Sequence, residues 1–128
     1  MLSAVIFGFG NVAFKIGKDK RTQKFDHMSV LSSLKVKIVA IVDASPSEEA
    51  LYYASEKKIP LFTSYKNVLE NFGSHFDLGV FCLPTSKADV TLGILNVMSF
   101  DRVLLEKPVS YDADIAKKIF SKLRETET

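Results

Sequence analysis

The chain has 128 residues, 47% hydrophobic and 25% charged, with only 6 Gly and 4 Pro; this is a globular composition sized for one domain, and it excludes a disordered or collagen-like chain. Lys and Arg number 17 against 15 Asp and Glu, a formal charge of +2, a balance that does not suggest a nucleic-acid footprint; the basic run "KIGKDKRTQK" at Lys15 to Lys24 could touch phosphate but reads as a solvated helix end or loop. Cys82 is the only cysteine, so neither an intrachain disulfide, a CxxC redox pair nor a structural zinc site is available, no metal is expected, and the chain reads as cytoplasmic.

The first strand is expected in "LSAVIF", Leu2 to Phe7. The apolar N-terminus carries neither the positive residues nor the small-residue cleavage site of a signal peptide, and no apolar run approaches the ~20 residues that span a bilayer. Directly after that strand, Gly8, Gly10 and Ala13 spell G-x-G-x-x-A around Asn11 and Val12, at the opening of a helix. In that setting the first glycine permits a tight turn, the second leaves backbone bare for a pyrophosphate, and small Ala13 lets helix approach strand. The helix N-terminus then offers free N–H groups and partial positive charge to the phosphates.

The second strand is expected in "KVKIVAIVD", Lys35 to Asp43. A carboxylate at its end suits the two hydroxyls of an adenine ribose and repels a 2′-phosphate. Ala44 and Ser45 follow without an Arg, so NAD is favoured over NADP. The alternative is that Asp43 caps the helix behind it. Gly10 and Asp43 are 33 positions apart, against ~20 between such a fingerprint and its acid; the surplus reads as a lengthened first helix or an inserted loop around Gly17 to Asp26.

In "SPSEEALYYASEKK", Ser45 is the expected N-cap, with Pro46 at the first helical position and Glu48 completing a capping box. "PLF", Pro60 to Phe62, is a short third strand, and "SYKNVLENFG" a helix from Ser64 to the stop at Gly73. "DLGVFCL", Asp77 to Leu83, is the fourth strand, followed by a helix whose Ala88, Thr91, Leu92, Leu95 and Met98 share one stripe. "DRVLLEK", Asp101 to Lys107, is the fifth. The last helix is expected to bury Ile115, Ile119, Phe120 and Leu123 while Lys117, Lys118 and Lys122 face water. His27, near the first helix, and His75, in a loop before strand four, read as ordinary residues. The alternation implies an α/β fold, a three-layer Rossmann-type doubly wound parallel sheet in a single domain.

Strand five ends in "EKP", Glu106 to Pro108, and strand four in "CLPTSKADV". With "GFGNVA", "AIVDAS" and "PLFTSYKNVL" in the same order, nearly the whole chain resembles the N-terminal dinucleotide-binding domain of the Gfo/Idh/MocA family, the relatives of glucose-fructose oxidoreductase and inositol dehydrogenase. The resemblance implies that Gly8, Gly10, Asn11, Val12 and Ala13 hold the pyrophosphate of NAD, that Asp43, with Ala44 and Ser45, holds the adenosine ribose, and that Leu83, Pro84 and Thr85 line the cofactor. It places Glu106 and Lys107 by the nicotinamide, with Lys107 near the reacting carbon of the substrate. A lysine at the carboxyl end of a parallel strand can favour the alkoxide-like charge that develops as hydride leaves, or it can simply pair with Glu106.

Two features depart from the family pattern. "PTSKADV" offers Lys87 where a histidine often follows the proline turn, and the acid/base aspartate and histidine belong to a C-terminal α/β substrate domain absent from this chain. The implied function is therefore the NAD(H)-binding domain of an oxidoreductase that moves hydride to or from a sugar, polyol or nucleotide-sugar alcohol, inactive alone. The implied partners are the dinucleotide and, in the complete enzyme, a sugar-like substrate; a homo-oligomer is open, and no nucleic acid or membrane is involved. The alternative is a stand-alone NAD(H) sensor or partner-binding module without catalysis. Short-chain epimerase chemistry is disfavoured because no Tyr-x-x-x-Lys pair follows strand four: Tyr111 has Ile115 at the lysine position.

Overall fold

In the computed structural model, which describes residues 1–9, 27–106 and 109–125, the strands are β1 (Ser3–Phe7), β2 (Lys37–Val42), β3 (Leu61–Phe62), β4 (His75–Phe81) and β5 (Ser99–Leu105). All pair in parallel in one sheet of order β3-β2-β1-β4-β5. The described helices are α1 (His27–Ser33), α2 (Glu48–Glu56), α3 (Tyr65–Phe72), α4 (Ala88–Val97) and α5 (Ala113–Glu125). This is the expected doubly wound Rossmann architecture, in which the strand order reverses at β1.

Two hydrophobic clusters account for the layers. In one, Met28 and Leu31 of α1 and Ala50 and Ala54 of α2 pack with Ile6, Ile41 and Val80 of the sheet. In the other, Val68 of α3, Ala88, Ile94 and Leu95 of α4 and Ile119 of α5 pack with Val5, Phe7, Ala40 and Val42. Strands covered on both sides need apolar residues at successive positions, which is why β1 is buried from Ala4 through Phe7. Near the carboxyl edge Phe7 stacks on Phe81 at 4.7 Å, and Phe100 meets both edge-on at 6.0 and 5.7 Å. Such pairs contribute about 0.5–1.5 kcal/mol each beyond their burial, so the residues preceding the site are firmly seated.

Several boundaries differ from expectation. β4 and β5 begin and end two residues earlier, because His75 and Phe76 pair with Ser99 and Phe100 at the start, while Pro84 cannot donate to a ladder at the finish. β2 cannot begin at Lys35, whose φ of +59° closes α1: Lys35 N–H donates to Ser32 O and Val36 N–H to Leu31 O. The N-cap of α2 is Ser47, whose hydroxyl accepts from Ala50 N–H at 3.0 Å, rather than Ser45, which is drawn into a turn with Asp43. Ser64 and Gly73 do bound α3, as their residue types imply. On α5, Ile119 is buried but Phe120 is 48% exposed, since it sits one position off the stripe of Ile115, Ile119 and Leu123. His75 lies in β4 rather than in a loop.

Candidate functional site

Parallel strands that end at one edge bring their following residues together there, and an open α/β sheet binds ligands in that crevice. Gly8 follows β1, Asp43 follows β2, Cys82 and Leu83 follow β4, and Glu106 follows β5. Each is tied to its neighbour by the first hydrogen bond beyond the strand. Gly8 N–H donates to Val42 O at 2.7 Å, Asp43 N–H to Phe62 O at 2.9 Å, Cys82 N–H to Phe7 O at 2.7 Å, and Glu106 N–H to Phe81 O at 3.2 Å.

Gly8 adopts φ +85°, where L side chains rarely go. A Cβ there would also lie 2.9 Å from the carbonyl carbon and oxygen of Cys82 and 3.1 Å from Leu83 N. The turn thus turns back against the end of β4, a close approach that the first glycine of such a turn allows.

Asp43 is half-buried, and its carboxylate organises the crevice rim. Oδ2 accepts from Phe9 N–H at 3.0 Å, and Oδ1 from Ser45 N–H at 2.9 Å. The acid therefore does not cap α2, which Ser47 does; it fastens the chain after β1 to the chain after β2. A carboxylate offers about four acceptor sites, of which the donors among the described residues, Phe9 N–H and Ser45 N–H, take two.

Beside it lies a cavity of about 200 Å³ lined by Ala44, Thr63, Tyr65, Leu83 and Val90, among others. Larger hollows are formed between α4 and α5 and at the amino edge of the sheet, away from these residues. Ala44 and Leu83 were expected near a ligand. Thr63 and Tyr65 were not, although both follow the carboxyl end of β3, which is a legible signal. Pro84 and Thr85 open a single 3₁₀ turn, Thr85–Lys87, closed by Lys87 N–H donating to Pro84 O at 2.8 Å.

On the side of the sheet that carries α1, His27 Nε2 lies 2.7 Å from Glu106 Oε1. A ring nitrogen of His27, Cys82 Sγ and a carboxylate oxygen of Glu106 are all within 4.8 Å of one another. Burial pushes the Cys82 thiol up to about 12, and the neighbouring Glu106 charge adds to the shift, so the resting thiol is protonated. Sequence reasoning missed the approach of His27, which joins residues 79 positions apart and leaves no periodic signal. Gly10, Asn11, Val12, Ala13, Lys107 and Pro108, together with the basic run and the Gly17 to Asp26 surplus, lie outside the described residues.

The model of an oxidoreductase family with an NAD-binding Rossmann fold, Gfo/Idh/MocA, matches residues 2–128. No curated protein matches the sequence. Among solved structures, UDP-N-acetylglucosamine 3-dehydrogenase GnnA from Acidithiobacillus ferrooxidans is similar at 18% identity and TM-score 0.69, over 98% of this chain and 36% of that one. The WlbA dehydrogenase from Bordetella pertussis, in complex with NADH and UDP-GlcNAcA, is similar at 19% identity and TM-score 0.71, over 98% and 35%. An oxidoreductase from Agrobacterium radiobacter in complex with NAD+, L-tartaric acid and magnesium is similar at 15% identity and TM-score 0.72, over 98% and 33%. The chain spans about a third of the length of these structures, and at such identities the shared property is the fold. Among the described residues, no helix is long and apolar enough to cross a membrane.

Proposed function

The chain belongs to the Gfo/Idh/MocA oxidoreductase family as its NAD-binding Rossmann domain, and from that premise we propose that it holds NAD(H), in preference to NADP(H), for hydride exchange with a sugar, polyol or nucleotide-sugar alcohol. The observation that carries this reading is the Asp43 carboxylate. It stands at the carboxyl edge beside the strand-order reversal, pinned by Phe9 N–H and Ser45 N–H, which among the described donors leave acceptor capacity for a ribose diol. An anion in that position disfavours a 2′-phosphate by like-charge repulsion.

The described residues fit the cofactor. Gly8 keeps the turn closed against Cys82 and Leu83, Asp43 receives the adenosine ribose, and the cavity lined by Ala44, Thr63, Tyr65 and Leu83 lies beside it for the adenine. Gly10, Asn11, Val12 and Ala13 are assigned to the pyrophosphate, and Pro84, Thr85 and Glu106 to the nicotinamide side. Bound NAD supplies a hydride acceptor or, reduced, a donor. Lys107 is assigned to the substrate oxygen, where an ammonium favours developing alkoxide charge. Proton transfer and substrate binding are assigned to none of these residues, so the part of the reaction that they supply is cofactor binding and stabilisation of charge on the substrate oxygen. The dehydrogenase titles among the fold neighbours support the reaction class, and the UDP-sugar bound to WlbA supports the substrate class.

Calorimetric titration with NAD(H) and NADP(H) tests the reading. Wild type is expected to prefer NAD(H), and Asp43→Asn, which keeps the side-chain shape and one acceptor oxygen, to lose at least tenfold of that preference. Binding of neither dinucleotide, or a preference unchanged in Asp43→Asn, refutes it.

A further inference from the structure

The chain contains two histidines and one cysteine, His27, His75 and Cys82, which are its nitrogen and sulfur donors of the kind that transition metals select. Two of these three meet at one point, together with a carboxylate. His27 opens α1, Cys82 follows β4 and Glu106 follows β5, so the donors arrive from three separate elements. Two of them stand side by side by construction: Phe81 and Leu105 are register partners, and the N–H groups of Cys82 and Glu106 are both bonded into the adjacent strand. His27 is set by the packing of Met28 and Leu31 against the sheet, in the same cluster that Cys82 joins.

We propose that His27, Cys82 and Glu106 form a binding site for a divalent transition-metal ion, Zn2+ in preference to Mg2+ or Ca2+, at the carboxyl edge of β4 and β5. A thiolate, an imidazole and a carboxylate are the donor types that zinc accepts, whereas hard cations take oxygen alone. In a tetrahedron with Zn–S near 2.3 Å and Zn–N and Zn–O near 2.0–2.2 Å, the donors lie roughly 3.3–3.7 Å apart. The present spacing, 2.7 Å for the His27–Glu106 pair and up to 4.8 Å across the set, reaches that arrangement through side-chain adjustments of about 1 Å. The pair opens slightly, the thiol closes in, and the thiol proton passes to solvent. Three protein donors leave one position for water or another oxygen ligand, the pattern of an open zinc site rather than a closed structural one. A lone cysteine excludes multi-cysteine zinc sites, and this mixed donor set is the case that such a count overlooks. Glu106 is shared with the nicotinamide side of the dinucleotide reading, so the metal is titrated into the dinucleotide-free chain, where failure of one reading is distinct from failure of the other.

The test is cobalt titration of the full 128-residue chain, followed by calorimetry with Zn2+ and Mg2+. Because Cys82 is the only sulfur donor of this kind, a sulfur-to-cobalt charge-transfer band saturating at one equivalent, with tetrahedral d–d bands, reports the site in wild type without any variant having to fold. Zn2+ is expected to compete for the same equivalent and Mg2+ to leave it untouched. Cys82→Ser should abolish the band, His27→Gln and Glu106→Gln should each weaken binding at least tenfold, and His75→Gln, at the opposite edge of the sheet, should change neither. A cobalt spectrum without the charge-transfer band, zinc binding that survives Cys82→Ser, or binding lost in His75→Gln overturns the proposal. In each of those outcomes the three residues do not act together as one metal site.

Discussion

Gly8→Ala tests whether the turn after β1 is specified by backbone conformation or by its approach to β4. Two costs apply. The left-handed φ of +85° costs an L residue about 1–2 kcal/mol. The new Cβ must also find room against backbone atoms of Cys82 and Leu83 at 2.9–3.1 Å; these are anchored by the Cys82 N–H to Phe7 O bond, and forcing such overlap in a packed region costs about 1–3 kcal/mol. The sum is about 2–5 kcal/mol, a large part of the 5–15 kcal/mol that holds a domain of this kind together, and it lowers Tm by on the order of 10–20 °C. Gly73→Ala is the internal reference. Its φ is +92°, yet nothing lies within 4 Å of the added carbon, so it should show the conformational cost alone. Urea and thermal unfolding of both variants separate the two costs. A Gly8→Ala protein no less stable than Gly73→Ala would refute the close-approach argument.

Two further outcomes follow from the same geometry. Ser47→Ala should destabilise the fold by about 0.5–2 kcal/mol in urea unfolding, because it removes the acceptor for Ala50 N–H; Ser45→Ala should stay within about 0.5 kcal/mol, since the bond to Asp43 uses its backbone N–H. Cys82 retains its proton in the fold up to about pH 12 against an ordinary 9.0, so the folded state binds more protons than the unfolded state in that window. Its contribution is therefore complete below about pH 9 and falls as pH rises toward 12, by up to about 1.4 kcal/mol per unit. The difference between wild type and Cys82→Ser in urea unfolding from pH 8 to 10.5 should show this slope, and parallel profiles would contradict it.

The architecture was legible because the signals behind it are local. Doubly apolar runs such as "IVAIV" and helix punctuation such as Ser64 and Gly73 depend on near neighbours, and they placed every strand and the switch point. Boundaries were lost where a side chain or a left-handed residue overrode propensity: Asp43 takes Ser45 N–H and moves the cap to Ser47, and Lys35 ends α1 where a strand seemed to begin. Asp43 is legible from its place at a strand end, but its bond to Phe9 is not, since the two lie 34 positions apart and no local pattern encodes the pairing. His27 was passed over for the same reason. Its partner, Glu106, follows β5, at the far side of the sheet from β2 and β3, and only closure of the whole fold brings them together.

The ladder bonds that run one residue past the strands divide the crevice by how its amides can exchange with solvent. The N–H groups of Gly8, Cys82 and Glu106 are held by carbonyls of the neighbouring strands, so deuterium reaches them only when those strand ends part. Those of Phe9 and Ser45 are held by one half-buried side chain, Asp43, and a single rotamer change breaks both of these bonds. The crevice therefore has a floor tied by the sheet's backbone and a rim tied by one carboxylate, and whatever engages that carboxylate governs how the rim breathes.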